Sequence, residues 1–242
     1  MITVCLTSFN GESYILDQLK SILCQLNNED EVIVSDDGST DKTVNIIKEL
    51  NDKRIKLIFN NNNKGIISNV ENTLIHAIGD YIFLADQDDI WLPDKVRICT
   101  KELETSDLVI SDCYITDNEL NITYDSFYKH NNSQFNKWFA LLKNPYLGCC
   151  MAFNRKVLMN VLPFPKKIPM HDIWIGNIAA FKHKVKFIDD KLIYYRRHGL
   201  NSSSASEPSK ASIFQQFDYR LSLIKPLIKV SINHNKNNPK SQ

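Results

Sequence analysis

The chain has 242 residues, with 29 Lys+Arg against 28 Asp+Glu and a formal net charge of +1. It is long enough for a sizeable core that hides roughly 70–75% of the unfolded surface. The seven glycines fit neither the dinucleotide-binding fingerprint nor a phosphate loop, and HExxH and GxSxG are absent, which excludes Rossmann dehydrogenases, P-loop NTPases, zincins and ordinary serine hydrolases. The neutrality is an average. Up to Asn121 there are 10 basic and 22 acidic side chains, and from Ile122 onward 19 basic and 6 acidic, so the two halves are expected to face different partners.

In chain order, a short apolar run, a polar turn and an amphipathic stretch recur. Strands are expected at Ile2 to Thr7, Glu31 to Ser35, Arg54 to Phe59, Tyr81 to Ala85 and Leu108 to Ser111. Helices are expected at Ser13 to Leu26, Asp41 to Leu50, Ile66 to Ile78 and Pro93 to Leu103, where apolar residues fall at helical spacing. This alternation implies an α/β fold with right-handed crossovers and a mostly parallel, Rossmann-like central sheet flanked by helices. The rhythm breaks at the polar stretch Asn118 to Gln134. A helix is then expected at Asp172 to Lys182, a strand at Lys191 to Arg196, and an amphipathic helix after the Ser/Ala/Pro loop Ser202 to Ser209. The Asn/Lys/Pro-rich residues 233–242 read as a frayed tail.

Six cysteines without a CxxC pair read as buried, reduced thiols of a cytosolic protein. Met1 leads into an apolar run with no basic segment before it, and no apolar run reaches the ~18 residues that span a bilayer. A cytoplasmic location follows as an expectation.

Ligands of open α/β sheets bind beyond the carboxyl ends of the strands. The residues there are Thr7 to Glu12, Asp36 to Asp41, Asn60 to Gly65 and Asp86-Gln87-Asp88-Asp89. Three carboxylates within four residues repel one another unless a cation offsets them, and hard oxygen ligands suit Mg2+ or Mn2+. The competing reading is an Asp-rich turn capping the next helix. Asp37-Gly38-Ser39-Thr40-Asp41 is likewise ordinary turn and cap chemistry, except that Asp37 could accept the N3–H of a uracil or thymine.

Thr7-Ser8-Phe9-Asn10, Asp36 to Asp41, Asn63-Lys64-Gly65, Asp86 to Trp91, His171-Asp172-Ile173-Trp174 and Tyr195 to His198 together resemble the ordered motifs of family 2 inverting glycosyltransferases, with the glycosyltransferase-A fold. The resemblance covers residues 1–203. It implies a catalytic domain over that range, with a nucleotide-sugar-binding half at 1–112 and an acceptor-side half at 113–203, an amphipathic segment at 204–232 and a tail at 233–242. It places the nucleotide sugar against Thr7, Phe9, Asn10, Glu12 and Asp37, with Asp86 close to ribose or metal. By the same resemblance Asp88 and His198 hold Mg2+ or Mn2+, and Asp172 is the catalytic carboxylate, against the alternative of a helix cap. Trp91 and Trp174 are candidates for stacking on sugars, against the alternative of core packing. Many members carry an Arg-Asn pair after NxG, but here the stretch reads Gly65-Ile66-Ile67-Ser68-Asn69, and that Arg is missing.

NxGxxxNxE followed by DQDDxW resembles the rhamnosyltransferase-like branch of bacterial polysaccharide and O-antigen enzymes. The expected partners are a dTDP-rhamnose donor, with UDP-galactose or UDP-glucose as alternatives, and a lipid-linked glycan acceptor; no nucleic acid is expected. The basic amphipathic stretch Ser212 to Val230 packs on the domain or contacts an anionic membrane. The competing activities are a haloacid-dehalogenase-like phosphatase, poorly matched because Ile90 replaces the expected Thr or Val, and a non-catalytic sugar-binding protein.

Overall fold

The computed structural model describes residues 1–61, 64–141 and 143–199. The expected segments 204–232 and 233–242 lie outside them, as does Asn63. Strands β1 (Ile2–Ser8), β2 (Glu31–Asp36), β3 (Ile55–Phe59) and β4 (Tyr81–Asp86) alternate with helices α1 (Ile15–Leu23), α2 (Thr43–Glu49) and α3 (Ile66–His76). Their apolar runs pair in parallel in the order β3-β2-β1-β4. Every residue of β1 and β2 is buried, as both-face coverage of a parallel sheet requires. The register sets Thr7 beside Asp86 and Ser8 beside Asp36, so the polar strand ends share one level.

Beyond β4 the sheet is mixed. After β5 (Ile90–Trp91), α4 (Lys95–Leu103), β6 (Leu108–Thr116), β7 (Ile122–Tyr124), α5 (Phe127–His130) and α6 (Lys137–Ala140), strand β8 (Met151–Asn154) inserts antiparallel between β4 and β6. Helices α7 (Arg155–Val161) and α8 (His171–Lys182) follow, and β9 (Val185–Arg196) runs parallel to β6 and antiparallel to β5. β9 is twice as long as the expected Lys191 to Arg196, because Val185 to Ile188 pair with Leu108 to Ser111 before a bulge at Asp112. The polar stretch Asn118 to Gln134, for which no element was expected, contains β7 and α5. Five cysteines are buried as expected, but Cys24 is exposed at the end of α1. No helix among the described residues is long and apolar enough to cross a membrane.

Close packing behind the cleft centres on α8. A Cβ at Gly176 would sit 2.5 Å from the Tyr146 ring. Alanine in a helix interior normally gains up to about 1 kcal/mol over glycine, whereas a clash of this depth costs about 1–3 kcal/mol, so the clash decides. Gly176→Ala should therefore lower stability in urea unfolding; an unchanged or raised midpoint would contradict this packing.

Candidate active site

The carboxyl ends of β1, β2 and β4, the N-terminus of α8 and the end of β9 surround a cleft of about 510 Å3. Thr7, Phe9, Asn10, Asp37, Asp86, Asp88, Asp172 and His198 all line it, whereas Glu12 does not. Glu12 instead accepts the Lys42 amide at 2.8 Å, and Asn10 accepts the Thr40 amide at 2.9 Å. Both brace the first loop against the second. Asn10 takes φ 46°, a left-handed conformation that asparagine tolerates.

Asp36, just behind the cleft and 1% exposed, organises the second loop. It accepts the amides of Gly38 and Ser39 and the hydroxyls of Ser8 and Ser39. Asp37 accepts the Asn60 amide group at 2.8 Å and the Gly65 backbone amide at 2.8 Å, which fixes its carboxylate at the cleft wall and leaves further lone pairs on both oxygens. Gly65 stands at φ 122°, where a side chain would be strained. Asn69 donates to the carbonyls of Ser8 and Ser35, and Asn72 to the Ser35 hydroxyl, so these asparagines tie α3 to the strand ends.

The three carboxylates after β4 do not act alike. Asp88 faces the cleft with its Oδ2 2.9 Å from His198 Nε2. Asp86 also faces the cleft, and burial, with the charges of Asp88 and Asp172 adding, raises its pKa to about 7. Asp89 turns inward at 1% exposure, where Oδ1 accepts the Arg196 amide, and burial pushes it well above the carboxylate range. Gln87 clamps the Phe9 backbone with two 2.9 Å bonds and holds that ring, 52% exposed, at the cleft mouth.

Asp172 lies in the first turn of α8 and is buried, with Oδ1 accepting the Ile173 amide and Oδ2 3.3 Å from Asn144 Nδ2. It does not cap the helix; Met170 holds that position without a side-chain bond. Burial raises Asp172 to about 6. Neighbouring His171 is lowered to about 4, also by burial, and is neutral at pH 7. Its ring lies against Gly148, where a Cβ would come within 2.7 Å of Nε2.

The two tryptophans are corrected. Trp91 and Trp174 are 3% and 1% exposed and do not line the cleft. Trp91 packs against Phe83 and under the Lys95 ammonium, and the Trp174 indole donates to the Val161 carbonyl. Sequence reasoning missed Tyr14, whose ring stacks on His198 at 4.8 Å while the Arg196 guanidinium lies 5.0 Å from its centre. It also missed Asn144 beside Asp172. No local pattern marks either residue, because both act through contacts distant in sequence.

Asp37, Asp86, Asp88 and Asp172 line the cleft with no lysine or arginine among its described lining residues. Charge of this sign disfavours an anion unless a cation offsets it, and the hard oxygen donors present suit Mg2+ or Mn2+. The residues therefore fit a divalent metal.

The model of the glycosyl transferase family 2 matches residues 3–162. The chain belongs to this family. It is 30% identical over 174 residues to the Escherichia coli UDP-Glc:alpha-D-GlcNAc-diphosphoundecaprenol beta-1,3-glucosyltransferase WfgD, covering 68% of this chain and 64% of that protein. It is 28% identical over 227 residues to the Shigella flexneri dTDP-rhamnosyl transferase RfbG, covering 85% and 76%. Solved structures share the glycosyltransferase-A fold. Staphylococcus aureus TarS 1-349 with UDP-GlcNAc has a TM-score of 0.67 at 17% identity, covering 96% of this chain and 66% of that one. Mycobacterium tuberculosis glucosyl-3-phosphoglycerate synthase with Mn2+, UDP and phosphoglyceric acid has a TM-score of 0.61 at 19% identity, covering 100% and 80%. The chain thus spans less than two thirds of the length of WfgD and TarS 1-349.

Removal of the Asp36 carboxylate leaves the part-buried amides of Gly38 and Ser39 and the buried Ser8 hydroxyl without this acceptor. Asp36→Ala should cost about 2–4 kcal/mol of folding stability, while Asp36→Asn, which keeps one acceptor oxygen, costs less. A change within about 0.5 kcal/mol for the alanine variant, read by urea unfolding, would show that this hub does not hold the loop.

Proposed function

We propose that the protein is a metal-dependent, inverting glycosyltransferase that moves a sugar from a nucleoside-diphosphate donor to a glycan acceptor of bacterial surface polysaccharide. The observation that carries this reading is one cleft that holds Asp86 and Asp88 on one wall and the buried Asp172 on another. The donor base rests against Asp37, with Thr7, Phe9 and Asn10 around the nucleotide. The Asp37 carboxylate accepts the N3–H that thymine and uracil share. dTDP-rhamnose is the first donor to test and UDP-glucose or UDP-galactose the second, in line with similarity to both a dTDP-rhamnosyl transferase and a UDP-Glc transferase. The acceptor is a lipid-linked glycan, the chemistry named for WfgD.

In the reaction Asp172 takes the proton of the acceptor hydroxyl as its oxygen bonds to the anomeric carbon. The bond to the diphosphate breaks on the opposite face, and its electron pair stays with phosphate oxygen. Asn144 and the Ile173 amide hold the Asp172 carboxylate in place. Asp88 and His198 would hold the divalent ion, with Asp86 beside the ribose or the ion. When bound, the ion offsets the charge of the leaving diphosphate. His171, neutral, adds no positive charge to the cleft.

Chelation or Asp88→Ala should abolish transfer; full turnover in chelator would remove the metal assignment. For Asp172 the working form is the carboxylate, so kcat/KM should rise with pH through a midpoint at or below about 6, since a nearby cation can only lower it. A raised folded pKa also means that ionised Asp172 costs stability, increasingly as pH rises from about 4 to 6, by about 2–3 kcal/mol at most. Asp172→Asn should therefore abolish turnover, retain donor binding and raise the melting temperature at neutral pH. Retained turnover would sink the base assignment.

A further inference from the structure

The segment that leads into the cleft carries a surface unlike any other described part of the chain. Gln134 to Phe139 are exposed without interruption, and they include Phe135, Trp138 and Phe139 at 50%, 63% and 50% exposure. Trp138 touches Phe181 of α8 edge-on at 5.2 Å, Phe135 stacks on Phe187 of β9 at 4.3 Å, and the Lys137 ammonium lies over both Trp138 and Phe181. The rings are thus seated on the fold with their outer faces in water. Such contiguous apolar exposure marks an interaction surface.

Charge identifies the occupant. From Ser126 to His171 the chain runs 46 residues without Asp or Glu, while carrying seven Lys or Arg. Lys129, Lys137 and Lys143 are exposed before, within and after the aromatic cluster. Indole and phenyl rings flanked by long cationic side chains match the boundary of a bilayer. There the rings lie at headgroup depth and the ammonium groups reach lipid phosphates.

We propose that Phe135, Trp138 and Phe139, with Lys129, Lys137 and Lys143, dock this protein on an anionic membrane surface. The same segment continues into Asn144, which touches Asp172, and into Leu147 and Gly148, which line the cleft. Docking here sets the acceptor side of the cleft beside the bilayer. That last consequence rests on the proposed transfer to a lipid-linked acceptor; docking itself does not.

The test therefore reads binding without turnover, using the full chain and vesicles of phosphatidylcholine with or without about a third phosphatidylglycerol. The chain has three tryptophans, and Trp91 and Trp174 are already buried, so a blue shift of emission reports Trp138 entering lipid. Anionic vesicles should produce that shift and protect the emission from acrylamide. Trp138→Gln/Phe139→Gln should weaken co-sedimentation roughly tenfold, and Lys137→Glu/Lys143→Glu should remove the preference for phosphatidylglycerol. No shift with anionic vesicles, or unchanged partition of the double glutamine variant, overturns the proposal. Should that variant fail to fold, vesicles of brominated phosphatidylcholine with about a third phosphatidylglycerol and the unaltered protein decide the matter: docking quenches Trp138 emission, and unquenched emission overturns it. If docking holds while no donor is turned over, only the transfer reading fails.

Discussion

The gathering of carboxylates at one end of a buried sheet is the constraint on which this structure depends. Parallel pairing of β1, β2 and β4 brings Thr7, Asp36 and Asp86 to one level, and α8 adds Asp172 from the opposite wall. Burial first, and then the charges of Asp88 and Asp172, raise Asp86 to about 7. Under the proposed function a divalent cation would offset that charge.

The surrounding acidic and amide side chains differ from the four cleft carboxylates in what they face. Asp36, Glu12 and Asp41 point at backbone amides, and their bonds join the loops after β1 and β2 into one unit. Asp41 is held below its usual range by bonds from Thr43 and the Glu12 amide, which outweigh its desolvation. Asp89 goes further in, to the β9 backbone at Arg196, and so couples the turn after β4 to the strand that carries His198. Accepting an amide and facing the cleft are not exclusive: Asp37 and Asp172 do both, since each accepts one backbone amide, from Gly65 and from Ile173, and still lines the cleft. Carboxylates that face inward and carboxylates that face the cleft occur within a few residues of each other.

That difference marks where sequence reading reaches its limit. The strand and helix alternation of the first half was legible because each element carries its own periodicity, and the strand-end position of Asp37, Asp86 and Asp88 followed from it. Asp172 stood out through its motif. The split between Asp88 and Asp89 came from the family resemblance, which named Asp86 and Asp88 and left Asp89 out; the residues alone did not give it, since adjacent residues differ only in which way a turn aims them. Trp91 and Trp174 were ambiguous for the same reason: an aromatic next to a motif Asp suits a sugar or a core equally, and packing by Phe83 and Val161 decided for the core. The first half of β9 escaped notice because it is half-buried and becomes a strand through pairing with β6, a contact long in sequence.

The charge split along the chain also takes a different meaning in three dimensions. The cleft draws Asp37, Asp86 and Asp88 from the acidic half but Asp172, His171 and His198 from the basic half, so the halves do not correspond to donor and acceptor walls of opposite sign. Seven of the 19 basic side chains from Ile122 onward fall in the acid-free stretch Ser126 to His171, part of whose outer face is aromatic. Under the proposed function and the proposed docking the two fields have different uses. Lysines beside the cleft carboxylates would neutralise the attraction for a dication, whereas carboxylates beside Trp138 would repel an anionic surface. The near-neutral net charge is thus the sum of an acid-rich first half and a base-rich second half.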